Sequence, residues 1–340
     1  MALIPSTILT GFLGAGKTTL LNRILHEDHG FKIAVIENEF GEENIDNEIL
    51  HRDTNEQIIE MNNGCICCTV RGDLIVALTN LADKRKSGEI SFDHLIIETT
   101  GLANPGPVAQ TFFVDEYVSN EYMLDAIITV VDAKHGMQQL TQHQEAQRQV
   151  GFADKLFISK ADLVTPAFVA QLSTRLKQMN PRAPVTTAHF GQIPIKDVLD
   201  IRGFNLNDKL TIDADFLHEQ EEHGHDHVHD EHCEHDHHHH HLDDISAFVF
   251  KSQRPFNAAL LDEYLSGIIA DHGPALLRYK GILYMQGADH RVVFQGVHQI
   301  MGSDLGRAWE KDEIMESKIV FIGNNLPKSI IISGLEQCLV

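Results

Sequence analysis

From Ser6 to about Leu199, short apolar runs alternate with amphipathic stretches, the pattern of repeated β-α units that build a parallel sheet covered on both faces. The runs place strands near residues 6–10, 32–37, 57–61, 94–98, 126–132, 155–159 and 184–188. Helical periodicity falls between them, near 17–28, 70–86, 106–119, 137–149, 166–179 and 194–199, with Gly30, Gly88, Gly101 and Gly151 at the breaks.

The pattern then fails. From about Leu217 to Asp244 the chain is almost wholly His, Asp and Glu, too polar to bury a core of its own, and it reads as a disordered linker. Beyond it the apolar pattern resumes with a strand at Ile245–Lys251 and a helix at Asn257–Asp271. A hairpin follows, Leu276–Met285 with Val292–Val297 turned at Gly287-Ala-Asp289, then a strand near 318–323 and a helix from about 328. The expected organisation is an α/β domain over 1–212, a linker over 213–244 and a smaller α+β domain over 245–340. Trp309, Tyr264, Tyr279 and Tyr284 of the last domain are candidates for client or self-association contacts, with a core role as the alternative.

Composition narrows the function classes. The 340 residues are 43% hydrophobic and 22% charged, ordinary for a globular protein, and no apolar run reaches the length of a membrane span. The formal charge of −22 repels phosphate backbones and anionic lipid, which counts against nucleic acid and membrane as partners. Met1-Ala-Leu-Ile-Pro-Ser has no basic n-region, so the expected location is cytoplasmic. Cysteine and histidine usage is abnormal. Three of the five cysteines are Cys65, Cys67 and Cys68, and 12 of the 22 histidines lie between His218 and His241.

Gly11-Phe-Leu-Gly14-Ala15-Gly16-Lys17-Thr18 matches G-x-x-x-x-G-K-[ST] in full, after a strand pattern and before a helix pattern. Such a loop offers backbone N–H groups to phosphate oxygens, Lys17 reaches the β- and γ-phosphates, and the Thr18 hydroxyl ligates Mg²⁺. An acidic residue at a neighbouring strand end must hold the metal or its water. Glu98 is preferred, because Glu98-Thr-Thr-Gly101 also brings a glycine amide towards the γ-phosphate; Asp132 is the second candidate, with capping of the following helix as its other role. Ser159-Lys160-Ala161-Asp162 resembles the N-K-x-D element that reads guanine: Asp162 can accept both guanine N–H donors and the Lys160 stem can cover the ring, while Ser159 replaces the usual Asn.

Gly64-Cys65-Ile66-Cys67-Cys68 crowds three thiols at a loop and helix start, a place that favours thiolates. They suit Zn²⁺ or a similar ion, which needs a fourth ligand. Glu37 and Glu42 can donate it if the second and third strands are neighbours, with water as the competitor; buried small hydrophobes or a redox pair are the other readings of the cysteines.

Taken with the Thr10–Leu20 loop, Glu37-Asn-Glu-Phe-Gly-Glu42, Glu98-Thr-Thr-Gly101, the His-rich linker and the small last domain, these motifs resemble the CobW-type GTPases. That family comprises cobalamin-biosynthesis, nitrile-hydratase-activator and zinc-regulated metallochaperone proteins. The resemblance implies a slow, metal-responsive GTPase that uses GTP and Mg²⁺ and carries Zn²⁺ or a similar ion to client metalloproteins, with a homo-oligomer open. It carries the nucleotide contacts onto Gly14, Gly16, Lys17, Thr18, Thr19, Lys160 and Asp162, and the metal ligands onto Cys65, Cys67 and Cys68 with Glu37 and Glu42. A P-loop kinase of a small molecule and a non-enzymatic metal buffer are the alternatives.

Overall fold

The computed structural model describes residues 3–27, 30–37, 57–60, 69–188, 193–194, 197–204, 243–311 and 313–340. Seven strands, β1 (Ile4–Gly11), β2 (Ile33–Glu37), β3 (Gln57–Glu60), β4 (His94–Glu98), β5 (Tyr122–Asp132), β6 (Lys155–Ser159) and β7 (Val185–Ala188), lie in the order β3-β2-β4-β1-β5-β6-β7. Every pairing among these described strands is parallel, as the alternation of strand and helix patterns leads one to expect. Its central strands are buried along their length, which is why they read as unbroken apolar runs.

The helices are α1 (Lys17–His26), α2 (Thr69–Lys86), α3 (Pro105–Val114), α4 (Glu116–Glu121), α5 (Gly136–Gln142), α6 (Gln144–Phe152) and α7 (Pro166–Met179). Two expected helices are each split. Asp115 ends α3 in an extended conformation and caps α4 through its side chain, which accepts from the Val118 N–H. His143, also extended, separates α5 from α6 and stacks on Phe12 at 4.7 Å. Tertiary contact and local capping both override a continuous helical period there. The helix expected over 194–199 is not an α-helix at its described positions, and residues 195–196 lie outside them.

The second sheet is antiparallel and contains β8 (Ile245–Ser252), β9 (Leu276–Leu283), β10 (His290–Val297), β11 (Ile300–Ala308) and β12 (Ser317–Asn324), ordered β11-β10-β9-β12-β8. With α8 (Ala258–His272) and α9 (Lys328–Gln337) it matches the expected α+β layout, apart from β11. That strand sits at an exposed edge, so its residues lack the apolar alternation that marks a half-buried strand. Tyr279 is core, and the Tyr264 hydroxyl donates to the Ile330 carbonyl, so both serve packing; Trp309 lies under Arg291 and edge-on to Tyr284. No helix among the described residues is long and apolar enough to cross a membrane.

One face of this sheet packs on α8 and α9; the other puts Ile245, Leu277, Val297, Val320 and Ile322 into the same core cluster as the parallel sheet. A register shift opposite Ile322 and Gly323 leaves Leu277 as an extra residue in β9, and both Leu277 and Arg278 then face the parallel-sheet unit. Asp154, buried ahead of β6, accepts from Arg278 at 2.6 Å, from Arg182 at 2.9 Å and from the Ile127 N–H at 2.9 Å. Burial alone would raise the Asp154 carboxyl, but the two guanidiniums override it and hold it below the ordinary range. At the same end of the sheet His94, pushed down to about 4 by burial, meets the Thr7 hydroxyl, which contacts Asp125.

Removing Arg278 breaks a buried ion pair and leaves the Asp154 charge partly compensated by Arg182, so Arg278→Met is expected to cost about 3 kcal/mol of unfolding free energy, read as a lower urea midpoint. His94 binds its proton more weakly folded than unfolded, so the stability it contributes is present above about 6.5 and is lost as pH falls towards about 4. A His94→Gln variant should therefore show a flatter stability profile across that window; a profile as steep as the parent's would refute the assignment.

Candidate nucleotide site

The phosphate loop leaves β1 at the middle of the parallel sheet. Gly11 has φ +148, and a Cβ there would lie 2.3 Å from the Val130 carbonyl oxygen of β5, so only glycine can make the exit. Gly16, at φ +97, starts α1 without a side-chain cap, which leaves the helix's first N–H groups available to an anion.

The loop's carbonyls are held by side chains, one of them the loop's own Lys17. Lys17 Nζ donates to Gly11 at 2.9 Å and Phe12 at 3.4 Å, Gln139 to Leu13 at 3.4 Å, Lys160 to Gly14 at 2.6 Å, and the Ser159 hydroxyl to Ala15 at 2.6 Å. Because a trans peptide carries its C=O and N–H on opposite sides, turning the Gly11, Leu13 and Ala15 carbonyls outward turns the Phe12, Gly14 and Gly16 amides the other way. These donors hold the loop in a conformation whose free amides suit an anion.

Thr18 and Glu98 meet: the hydroxyl donates to Glu98 Oε1 at 3.1 Å. A hydroxyl and a carboxylate side by side at a strand end are the oxygen donors Mg²⁺ takes, so these residues fit the ion. Asp132 neither reaches the Thr18–Glu98 pair nor caps the following helix, whose N-cap is His135 without a side-chain cap; it closes the turn ahead of it. Its Oδ1 accepts from the Lys134 and His135 N–H groups, and its Oδ2 takes Lys160 at 2.8 Å. Burial would raise its carboxyl, and Lys160 and His135 bring it below the usual range.

Lys160 adopts a left-handed backbone, φ 55, which costs a non-glycine residue about 1 kcal/mol and is held by its Nζ contacts. It opens the turn Ala161–Leu163 that carries the exposed Asp162. Ser159 therefore keeps one task a longer amide could perform, tying β6 to the loop, and its single O–H is spent there. Thr19 is exposed one residue beyond Thr18. Gly101 is packed so closely on the loop that a Cβ would lie 2.7 Å from the Leu13 nitrogen.

Glu37 and Glu98 are register partners across β2 and β4, and Glu37 is paired likewise with Glu60 of β3. The condition placed on Glu37, adjacency of the second and third strands, is met. Glu42, Cys65, Cys67 and Cys68 lie outside the described residues, as does the His218–His241 segment; among the described residues there is no cluster of three or more metal-ligating side chains. The sequence reading missed Gln139 and Gln149, ordinary helical glutamines whose loop contacts exist only across the fold.

The nucleotide-binding domain described as CobW/HypB/UreG matches residues 5–187, and the cobalamin synthesis protein cobW C-terminal domain matches 245–339. The chain belongs to the CobW/HypB/UreG family. This CobW-type chain is 40% identical over 328 residues to the zinc chaperone YjiA of Escherichia coli (strain K12), covering 96% of each. It is 34% identical over 370 residues to the zinc chaperone CobW of Pseudomonas aeruginosa, covering 100% of this chain and 92% of that one. A crystal structure of Zn(II)-bound YjiA GTPase from E. coli superimposes over the whole of both chains with a TM-score of 0.79 at 35% identity.

Deleting the Ser159 hydroxyl removes one loop clamp without touching the nucleotide directly, so Ser159→Ala is expected to weaken GDP binding about fivefold, roughly the worth of one hydrogen bond. Fluorescent-GDP titration measures it, and unchanged affinity would show that the remaining donors suffice.

Proposed function

We propose that this protein is a magnesium-dependent GTPase that couples its nucleotide state to the carriage of zinc to client metalloproteins. The observation that carries the reading is the Thr18–Glu98 contact, with Glu37 in register beside Glu98 and one strand from β3, which leads to Cys65. Relatives that cover nearly the whole chain are named zinc chaperones, which supports the cargo.

In this reading Gly11, Gly14, Ala15, Gly16, Lys17, Thr18 and Thr19 hold the phosphates, and Lys160 and Asp162 hold the base. Thr18 and Glu98 hold the magnesium, which supplies charge neutralisation between the β- and γ-phosphates. Gly101 faces the γ-phosphate. Cys65, Cys67 and Cys68, with Glu37 and Glu42, hold the zinc, and the His218–His241 segment captures ions for it. The chain divides into a GTPase domain over 1–212, a linker over 213–244 and a C-terminal domain over 245–340, and works in the cytoplasm. If GTP and Mg²⁺ order the Glu37–Glu42 segment, which beyond Glu37 lies outside the described residues, the nucleotide changes which carboxylate is available to complete the thiolate site.

The test is a zinc titration of protein loaded with GDP or with a non-hydrolysable GTP analogue. The affinities are expected to differ by about 5- to 150-fold, and zinc must shift GTP affinity by the same factor. Lys17→Ala should abolish turnover. Equal zinc affinities in the two nucleotide states would refute the coupling, and equal turnover of ATP and GTP would refute the base assignment.

A further inference from the structure

Gln149 of α6 is 1% exposed, and nothing in the phosphate or metal chemistry above uses it. Its Nε2 donates to two carbonyls, Gly101 at 3.1 Å and Ala103 at 3.0 Å. Two carbonyl acceptors fix the amide's orientation, since only the NH₂ end can serve both. Those carbonyls belong to the tight turn closed by the Ala103 N–H on the Thr100 carbonyl, the turn that follows Glu98. On its far side Gly101 is pressed against the Leu13 backbone. The turn is thus held between the phosphate loop and one buried carboxamide.

We propose that Gln149 is a positioning residue for GTP hydrolysis, setting the Gly101 turn at the γ-phosphate from behind. The inference rests on the GTPase reading above. A turn in contact with both water and ligand can adopt several peptide orientations; donors fixed on a helix select one. The helix is itself fixed. The Thr129 hydroxyl of β5 donates to the Gln149 carbonyl, and Gln147 Oε1 accepts from the Ile245 N–H of the C-terminal sheet. A Cβ on Gly151 would lie 2.7 Å from Leu277 of that sheet, so the two meet closely. Phe152 meets His298 edge-on at 5.1 Å. The same helix therefore carries the C-terminal sheet on one side and the γ-phosphate turn on the other. Gln149 Oε1 has no hydrogen-bond partner among the described residues, and the side chain lines a small cavity with Phe12 and Gln139. The hydrogen bonds of this carboxamide are therefore those of its NH₂ group.

Gln149→Met keeps the length and removes both donors; Gln149→Glu keeps the shape and sets a carboxylate against two carbonyls. In Gln149→Met, kcat for GTP is expected to fall about tenfold or more with GDP affinity preserved, and affinity for a non-hydrolysable GTP analogue should fall relative to GDP, because only the analogue reaches the turn. In Gln149→Glu, kcat relative to the parent should recover in part as pH is lowered, since a protonated carboxyl donates one O–H to one of the two carbonyls. A packing role would leave the analogue-to-GDP ratio unchanged, and any recovery with pH would then only track the folded fraction, read by circular dichroism on the same samples. A kcat within about twofold of the parent in Gln149→Met, or equal loss of GDP and analogue affinity, would overturn the proposal. If Gln149→Met fails to fold, the pH profile of Gln149→Glu decides alone, and a flat profile overturns it. If the parent itself hydrolyses no GTP, the GTPase reading fails separately, and the affinity ratio still tests whether Gln149 sets the turn.

Discussion

A loop built to bind phosphate through its backbone has to keep most of its amides unused, and here only the Ala15 N–H turns back, onto the Phe12 carbonyl, among the backbone bonds seen within the loop; a short glycine-rich segment has no reason of its own to stay open in that state. The constraint is met here by holding the carbonyls. Lys17, Gln139, Ser159 and Lys160 each take one or two of the carbonyls between Gly11 and Ala15, and these donors come from α1, α5 and the end of β6. The glycines permit the conformation, and the neighbours select it. Much of the surrounding sheet can be understood as the frame that brings those donors to one point.

The frame continues into the C-terminal sheet. Two sheets joined by a polar linker could pack loosely, but here one hydrophobic cluster runs through both, and Arg278 crosses the boundary to a buried carboxylate. A guanidinium taken out of water is costly unless its partner is fixed, and Asp154 is fixed by Arg182 and by the Ile127 amide. The register shift at Leu277 aims β9 at this contact. Helix α6 lies between the C-terminal sheet and the Gly101 turn, so the two units share a mechanical element as well as a core.

Three acidic residues fall into line at the ends of β2, β3 and β4. Parallel register aligns Glu60, Glu37 and Glu98 across three adjacent strands, and Glu98 touches Thr18. Nothing in the spacing of these acids along the chain shows that they are neighbours. The crossover order places β4 between β1 and β2, and that order puts Glu98 beside both the phosphate loop and Glu37.

Local chemistry was legible in the sequence wherever one short segment carries a complete motif: the Gly11–Thr18 loop, Glu98-Thr-Thr-Gly101 and Ser159–Asp162 lie where the strand pattern put them, at the ends of β1, β4 and β6. The strand runs themselves were legible because a sheet buried on both faces needs continuous apolar stretches. Helix breaks at Asp115 and His143 were not, since a cap bond and a ring stack on Phe12 outweigh the helical period. Nor was β11, whose edge position frees its residues from any pattern. The roles of Gln139, Ser159 and Gln149 waited on the tertiary structure for one reason: a hydrogen bond between residues far apart in the chain leaves no periodicity behind it. The amino-acid pattern determined the buried strands and the loop that carries the phosphate-binding signature; only the packing decided where helices break and which side chains hold that loop open.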